Sequence, residues 1–321
     1  MRLKRYVSSL MLCLLVAMAS IGAGQPATGE TVRLSGPPIW DSAVLLHLVE
    51  RQPLKDKGVV FSFAPWKNPN QLRSALLKRN VDLAIVPSVS ASLFVNRGIA
   101  LTLFFTHSLR GNLALVGRGE PPGSLADLPK GAIAVPFKGD LPDLLLQRLG
   151  MVREQARYVS GPVEAMNLLL AGQVTYAFLA EPFATLVRTH DPALSDRLAV
   201  CDRWESATGR SGCPVLTVVA SPVGAIDPSK AALIVDAYEG AFEAVLQNPE
   251  KAARLVSEAF PGLPEVVLRR AFENLSGDLD SASMAEARLR RFLDAIVALE
   301  PEAIGGKVPD IRFFAAPGAS D

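Results

Sequence analysis

Histidine is scarce in this chain. His47, His107 and His190 are the three in 321 residues, and no two stand at the spacing of a zinc pair. A metal site is therefore not expected. The sequence also lacks a nucleophile elbow, a glycine-rich phosphate loop and a Ser/His/Asp set of persuasive spacing. No catalytic residue and no cofactor are expected from it. An excess of charge of one sign is missing too: 33 basic side chains face 32 acidic ones, net +1, with no long basic run. That balance argues against nucleic acid as a partner. No fixed-period repeat or low-complexity tract appears, so the chain is neither a repeat array nor a linker.

What is present is a large apolar fraction. Hydrophobic residues make up 49% and charged residues 20%, enough to bury a substantial core in two lobes of ordinary size. The first residues, MRLKRYVSSLMLCLLVAMASIGAGQPA, place Arg2, Lys4 and Arg5 before an apolar stretch from Val7 to Ala19 and then small residues. This reads as a signal peptide over 1–23, cleaved near Ala19 or Ala23; a membrane anchor is the alternative, near the short limit for spanning a bilayer. Cys13 follows Leu12, whereas lipidation wants a small residue before the cysteine. Removing 1–23 leaves 30 basic against 32 acidic side chains, net −2, which says little about a ligand. It also leaves two cysteines, Cys201 and Cys213. In an oxidising compartment they can close a disulfide loop, with free buried thiols as the alternative.

Short β-branched runs alternate with amphipathic segments. TVRLS (31–35), VVFSFAPW (59–66), VDLAIVPS (81–88), LTLFFTH (101–107) and LALVG (113–117) read as strands. Helices over 41–54, 68–79 and 90–98 separate the first four. The pattern restarts with strands AIAVP (132–136), ARYVS (156–160) and TYAFLAEP (175–182), and helices at 140–150, 162–174 and 183–190. VLTVVAS (215–221) is a further strand, and the remainder is strongly helical. The order predicts an α/β fold of two lobes with mostly parallel sheets. GRGEPPGS (117–124) is the sharpest break in composition and the expected crossing between lobes.

These blocks resemble a known family. VRLSGPPIWDSAVLLHLVE, LRSALLKRNVDLAIVPSVSASLFVNRGIAL, LADLPKGAIAVPFKGDLPDLLLQRLG, EAMNLLLAGQVTYAFLAEPFATLV and the helical tail with NPEKAARLV are similar to ABC-importer substrate-binding proteins of the nitrate/sulfonate/taurine/thiamine-precursor group. The resemblance runs from about 31 to 300. It implies the type II periplasmic-binding-protein fold, with lobe I at 31–115 and returning over 216–321, and lobe II at 116–215. It further implies a periplasmic monomer that holds a small-molecule ligand in the cleft and meets a permease and its ATPase. A lyase-like enzyme on the same fold and a periplasmic sensor are the rival readings.

In open parallel sheets, ligands sit beyond the carboxyl ends of the strands. Three such ends run directly into helices: SGPPIWDSA (35–43), VPSVSAS (86–92) and VPFKGDLPD (135–143). Their helix N-termini would offer free N–H groups. The expected ligand-binding residues are Trp40, Trp66, Ser88, Ser90, Lys138, Gly139, Asp140 and Glu181. Each has a plainer role open to it. Trp40 and Trp66 can be ordinary packing, Lys138 a solvated edge cation, Asp140 a helix cap and Glu181 a surface cap. Arg110 reads as hinge structure, and Trp204 belongs with the cysteine loop. Two carboxylates and an aromatic favour an organic ligand, an amine, a pyrimidine-like ring or an amino-sulfonate, over simple nitrate.

Overall fold

The computed structural model describes residues 29–209, 212–315 and 317; the proposed signal peptide at 1–23 lies outside them. The chain opens with β1 (Glu30–Gly36), α1 (Asp41–Arg51), β2 (Val59–Pro65), α2 (Pro69–Leu77), β3 (Leu83–Pro87), α3 (Ser88–Asn96) and β4 (Leu101–Arg110). A second series follows: β5 (Leu113–Gly117), β6 (Ile133–Pro136), α4 (Leu141–Arg148), β7 (Ala156–Val159), α5 (Pro162–Leu170), β8 (Tyr176–Ala180), α6 (Phe183–His190), β9 (Ser195–Ala199) and α7 (Val200–Thr208). The chain ends with β10 (Thr217–Pro222), α8 (Pro228–Leu246), α9 (Pro249–Ala259), α10 (Glu265–Phe272), β11 (Ser276–Ser281), α11 (Ala282–Leu299) and α12 (Ile311–Phe314).

The strands form two sheets. One has the order β11-β4-β10-β3-β1-β2 and the other β7-β6-β8-β5-β9. In each, three strands are parallel: β3-β1-β2 in the first and β7-β6-β8 in the second. The others join through antiparallel pairings, so the sheets are mixed, with β5, β10 and β11 running against the remaining strands. Topology explains the difference. β5 and β10 each carry the chain into a sheet from the cleft side. They must therefore run away from the cleft, opposite to the strands whose carboxyl ends face it.

The chain leaves the first sheet at Gly111–Asn112, between β4 and β5. Gly111 takes a φ of +84° there, a turn conformation that costs glycine little. The segment at 117–124, expected to be the crossing, instead joins β5 to β6 within one sheet. The return to the first sheet follows α7. A disulfide links Cys201 to Cys213 there, with Cα atoms 4.5 Å apart. Arg110 at the end of β4 pairs with Asp202 and Glu205 of α7. Trp204 packs against Phe292 of α11 at 5.4 Å.

Alternation along the strands sends side chains to two apolar layers. In β6, Ala134 points to one layer and Ile133 and Val135 to the other; in β8, Ala177 and Leu179 oppose Phe178. Helices cover both layers. Trp40, just before α1, meets Phe242 of α8 edge-on at 5.4 Å, and Tyr238 of α8 stacks on Phe105 of β4 at 4.8 Å.

Candidate ligand cleft

The carboxyl ends of β1, β2 and β3 face those of β6 and β8 across a cavity of about 150 Å³. Pro37, Pro38 and Ile39 follow β1, and Trp66 follows β2. From the other sheet come Pro136, Phe137, Phe178 and Ala180. The two passages between sheets supply Asn112 with Leu113, and Leu216 with Thr217.

Proline dominates this lining: Pro37, Pro38, Pro69, Pro87, Pro136, Pro142 and Pro162 all border it. Proline has no backbone N–H. Pro69, Pro142 and Pro162 open α2, α4 and α5, at positions where a free N–H would otherwise point outward. Side chains also accept from first-turn N–H groups of α2, α4 and α6. Asn68 accepts from Gln71 N, Asp140 from Leu141 N, and Glu181 from Thr185 N, all at 2.8–2.9 Å. Ser88 N donates to Leu216 O at 3.0 Å. Of the three helix starts expected to be open, that of α4 is capped by Asp140, whereas those of α1 and α3 carry no side-chain cap.

The side chains around the cavity complete the electrostatics. Trp66 gives its Nε1–H to Ile85 O at 3.1 Å. Thr217 gives its hydroxyl proton to Asp41 Oδ1 at 2.5 Å. Behind Thr217, Asp41 meets His107 Nδ1 at 2.6 Å, and His107 Nε2 meets the Tyr238 hydroxyl at 3.1 Å. A proton on His107 Nδ1 satisfies both contacts. All three are sealed in the core, and burial together with the Asp41 charge pushes Tyr238 well up. Asn112 is 4% exposed, and its Oδ1 has no hydrogen-bond partner among the described residues. Lys67 and Asp140 are the charged members of the lining, and Lys67 is exposed at its rim.

Asp140 also joins the two halves. Its carboxylate accepts from the Ser90 hydroxyl on α3 at 3.0 and 3.1 Å while capping α4. Burial pushes this carboxyl up, against the opposing pull of the Leu141 N–H and Ser90. The loop before α4 is shaped by Asp143. It accepts from Gly139 N (2.9 Å), Gln147 (2.7 Å) and the Tyr158 hydroxyl (3.0 Å). Burial and the adjacent Asp143 push that phenol to about 12. Lys138 lies over the Tyr158 ring, 5.2 Å from its centroid. Phe137, between Pro136 and Lys138, holds a φ of +57°. A non-glycine residue there is strained, and such strain concentrates where function needs a side chain aimed.

The eight residues singled out from the sequence fall into three groups. Trp66 and Asp140 border the cavity. Ser90, Lys138 and Gly139 line an adjoining, more open groove together with the exposed Arg73 and Arg97. Trp40, Ser88 and Glu181 lie away from both. Trp40 is 1% exposed in the core, and Ser88 donates to Val215 O at 2.7 Å. Glu181 is buried, with its oxygens on Thr185 and Arg188. Burial pushes its carboxyl up, and Arg188 is the first of the partners that hold it down. Asn112, Thr217, Phe137 and Phe178 were not read as cleft residues. The X-Pro steps at successive strand ends are the signal that marks this wall. Among the described residues no group of three or more His, Cys, Asp or Glu side chains is placed to hold a metal.

No protein-family model and no curated protein matches the sequence. Solved structures do match it in shape. An ABC transporter from Parabacteroides distasonis superposes with a TM-score of 0.72 at 22% identity, over 88% of this chain and 98% of that one. The periplasmic aliphatic sulphonate binding protein SsuA from Escherichia coli gives 0.67 at 15% identity, over 89% and 99%. The chain has the periplasmic-binding-protein fold. The periplasmic nitrate-binding protein NrtA from Synechocystis PCC 6803 gives 0.64 at 11% identity, over 85% and 82%. At these identities the likeness speaks for the fold and not for a ligand.

Proposed function

We propose that this chain is the solute-binding component of an ABC importer, of the nitrate/sulfonate/taurine/thiamine-precursor kind. It is exported to the periplasm by residues 1–23, holds a small organic molecule between its lobes and delivers it to a membrane permease coupled to an ATPase. The lobes are 31–111 with 216–321, and 112–215, the first boundary lying before the expected 115 because β5 pairs in the second sheet. The observation that carries this reading is the cavity whose walls come from both sheets and both passages between them. A ligand there touches both lobes, so it stabilises the closed form over the open one, and only such differential contact shifts the population. Trp66, Asn112, Asp140 and Thr217 are its polar and aromatic contacts, and the Ser90–Asp140 hydrogen bond belongs to the closed state. The sealed Asp41–His107–Tyr238 set supports a binding role over catalysis, because none of the three borders the cavity.

Native mass spectrometry of the processed chain, purified from its own periplasm, tests this. A discrete added mass that leaves on denaturation is expected, with a mature N-terminus near residue 20 or 24. Conversion of a bound molecule to product would overturn the reading in favour of an enzyme. A bare chain that no small molecule stabilises would contradict it outright.

A further inference from the structure

Resting on that solute-binding reading, we infer that Asn112 determines the specificity of the cavity: its side-chain N–H2 donates to a hydrogen-bond acceptor on an otherwise apolar, ring-sized ligand, be it a ring nitrogen, a carbonyl or a carboxylate.

Three observations carry this. The first is the isolation of the Asn112 amide. Asn112 is 4% exposed, lies between β4 and β5, and borders the cavity. Its Oδ1 is sealed and has no partner among the described residues. Its Nδ2 makes no hydrogen bond among them either, but it is not sealed, so the donor end of the amide is the open end. The main chain is satisfied separately, with the Asn112 carbonyl accepting from Glu181 N at 2.9 Å. A buried amide that bonds nothing is costly to the fold. Its neighbours in this wall, Leu113 and Leu216, are apolar, so packing alone does not call for an asparagine here.

The second is that the other buried donors are spent. Trp66 gives its Nε1–H to Ile85 O, and Thr217 gives its hydroxyl proton to Asp41. Asp140 accepts, from Ser90 and from Leu141 N. Lys67 is exposed at the rim, where water solvates its ammonium. Asn112 is the buried side chain of this wall with a donor left to give.

The third is the setting. The cavity is about 150 Å³ and walled by seven prolines with Trp66, Phe137, Phe178 and Phe183. An apolar cavity of that volume admits a molecule of benzene size. In such a wall one donor discriminates sharply. A ligand acceptor placed against Nδ2 pairs a group that is otherwise unpaired, and a ligand without one leaves it so.

Substituting Asn112 separates a binding role from a structural one. Asn112→Leu replaces an unbonded amide by an apolar side chain of similar size, so the ligand-free melting temperature is expected to hold or rise. Calorimetric titration of the mature chain with benzene, pyridine and benzoate reads the specificity: one ring without an acceptor, with a neutral one and with an anionic one. The affinity for pyridine or benzoate relative to benzene is expected to fall about tenfold from wild type to Asn112→Leu. Asn112→Asp keeps the shape and turns the N–H2 into an oxygen. It is expected to lose the same preference, which keeps the test decisive if Asn112→Leu does not fold. Unchanged ratios in both variants would overturn the inference. So would a lower melting temperature in Asn112→Leu with its affinities unchanged, the mark of a structural amide. Failure of every ring probe to bind the wild type would overturn it as well, while a co-purifying mass in the wild-type native spectrum would still uphold the solute-binding reading.

Discussion

Asp140 holds three positions at once: cap of α4, partner of Ser90 across the cleft, and charged member of the cavity lining. Asp140→Ala is therefore expected to lower stability by about 1 kcal/mol through the lost cap, and also to shift the lobes toward the open form. Ser90→Ala removes the cross-cleft bond and spares the cap, so it should open the protein with little change in its denaturant midpoint; small-angle scattering and urea titration separate the two effects. Glu181 gives the opposite pattern. Its oxygens are occupied by Thr185 and Arg188, so Glu181→Ala is expected to cost roughly 1–3 kcal/mol without altering the affinity of a wild-type ligand. Weaker binding at unchanged stability would return Glu181 to the ligand site. Sequence reading could reach Trp66 and Asp140 because each follows an unmistakable strand. It could not reach Asn112 and Thr217, which border the cavity only because the two passages between the sheets run beside it. Nor could it tell that Trp40 turns inward to Phe242 and away from the lip.

At the scale of elements, the legible parts were those with a buried face. β1 to β4, β6 to β8 and the helices between them announce themselves by apolar runs and first-turn prolines. β9 (SDRLA) and β11 (SGDLDS) were missed, together with α7. Both strands lie at sheet edges, held by backbone pairing with polar side chains outward, a composition that reads as turn or loop. The helices on the first sheet are tied by charge as well as packing. Glu50 of α1 bonds Arg254 and Lys251 of α9, and these draw its carboxyl from an ordinary 4.5 down to about 2. A depressed carboxyl contributes stability that is fully present above the unfolded value and lost as pH falls through the folded one. The Glu50 contribution should hold above about pH 4.5 and disappear by about pH 2. It should be modest and weakened by salt, because the partners are partly exposed. Urea midpoints of wild type and Glu50→Gln should thus differ at pH 7 and converge near pH 2; a constant difference would contradict the assignment.

Taken whole, the molecule is two mixed sheets joined by two passages, with its apolar cavity where the passages cross. The Cys201–Cys213 bond lies beside the second passage. In the loop-entropy view a bridge of this span is worth about 3 kcal/mol. Reduction, or Cys201→Ser with Cys213→Ser, should lower the melting temperature while leaving the cavity's selectivity in place. An intact-mass measurement two hydrogens below the reduced chain checks that the bond forms. The two-lobed α/β design was legible from the restart of the strand–helix pattern near residue 130. The antiparallel strands were not, because a strand's direction depends on which lobe it enters and not on its composition.

Hydrogen exchange read by mass spectrometry, with and without the co-purified molecule, tests the central claim most directly. The account predicts slowed exchange in both lobes and both passages together: around 66–72, 111–115, 137–146 and 215–219. Protection confined to one lobe, or centred on the Arg73–Arg97–Lys138 groove with the cavity walls unchanged, would contradict it.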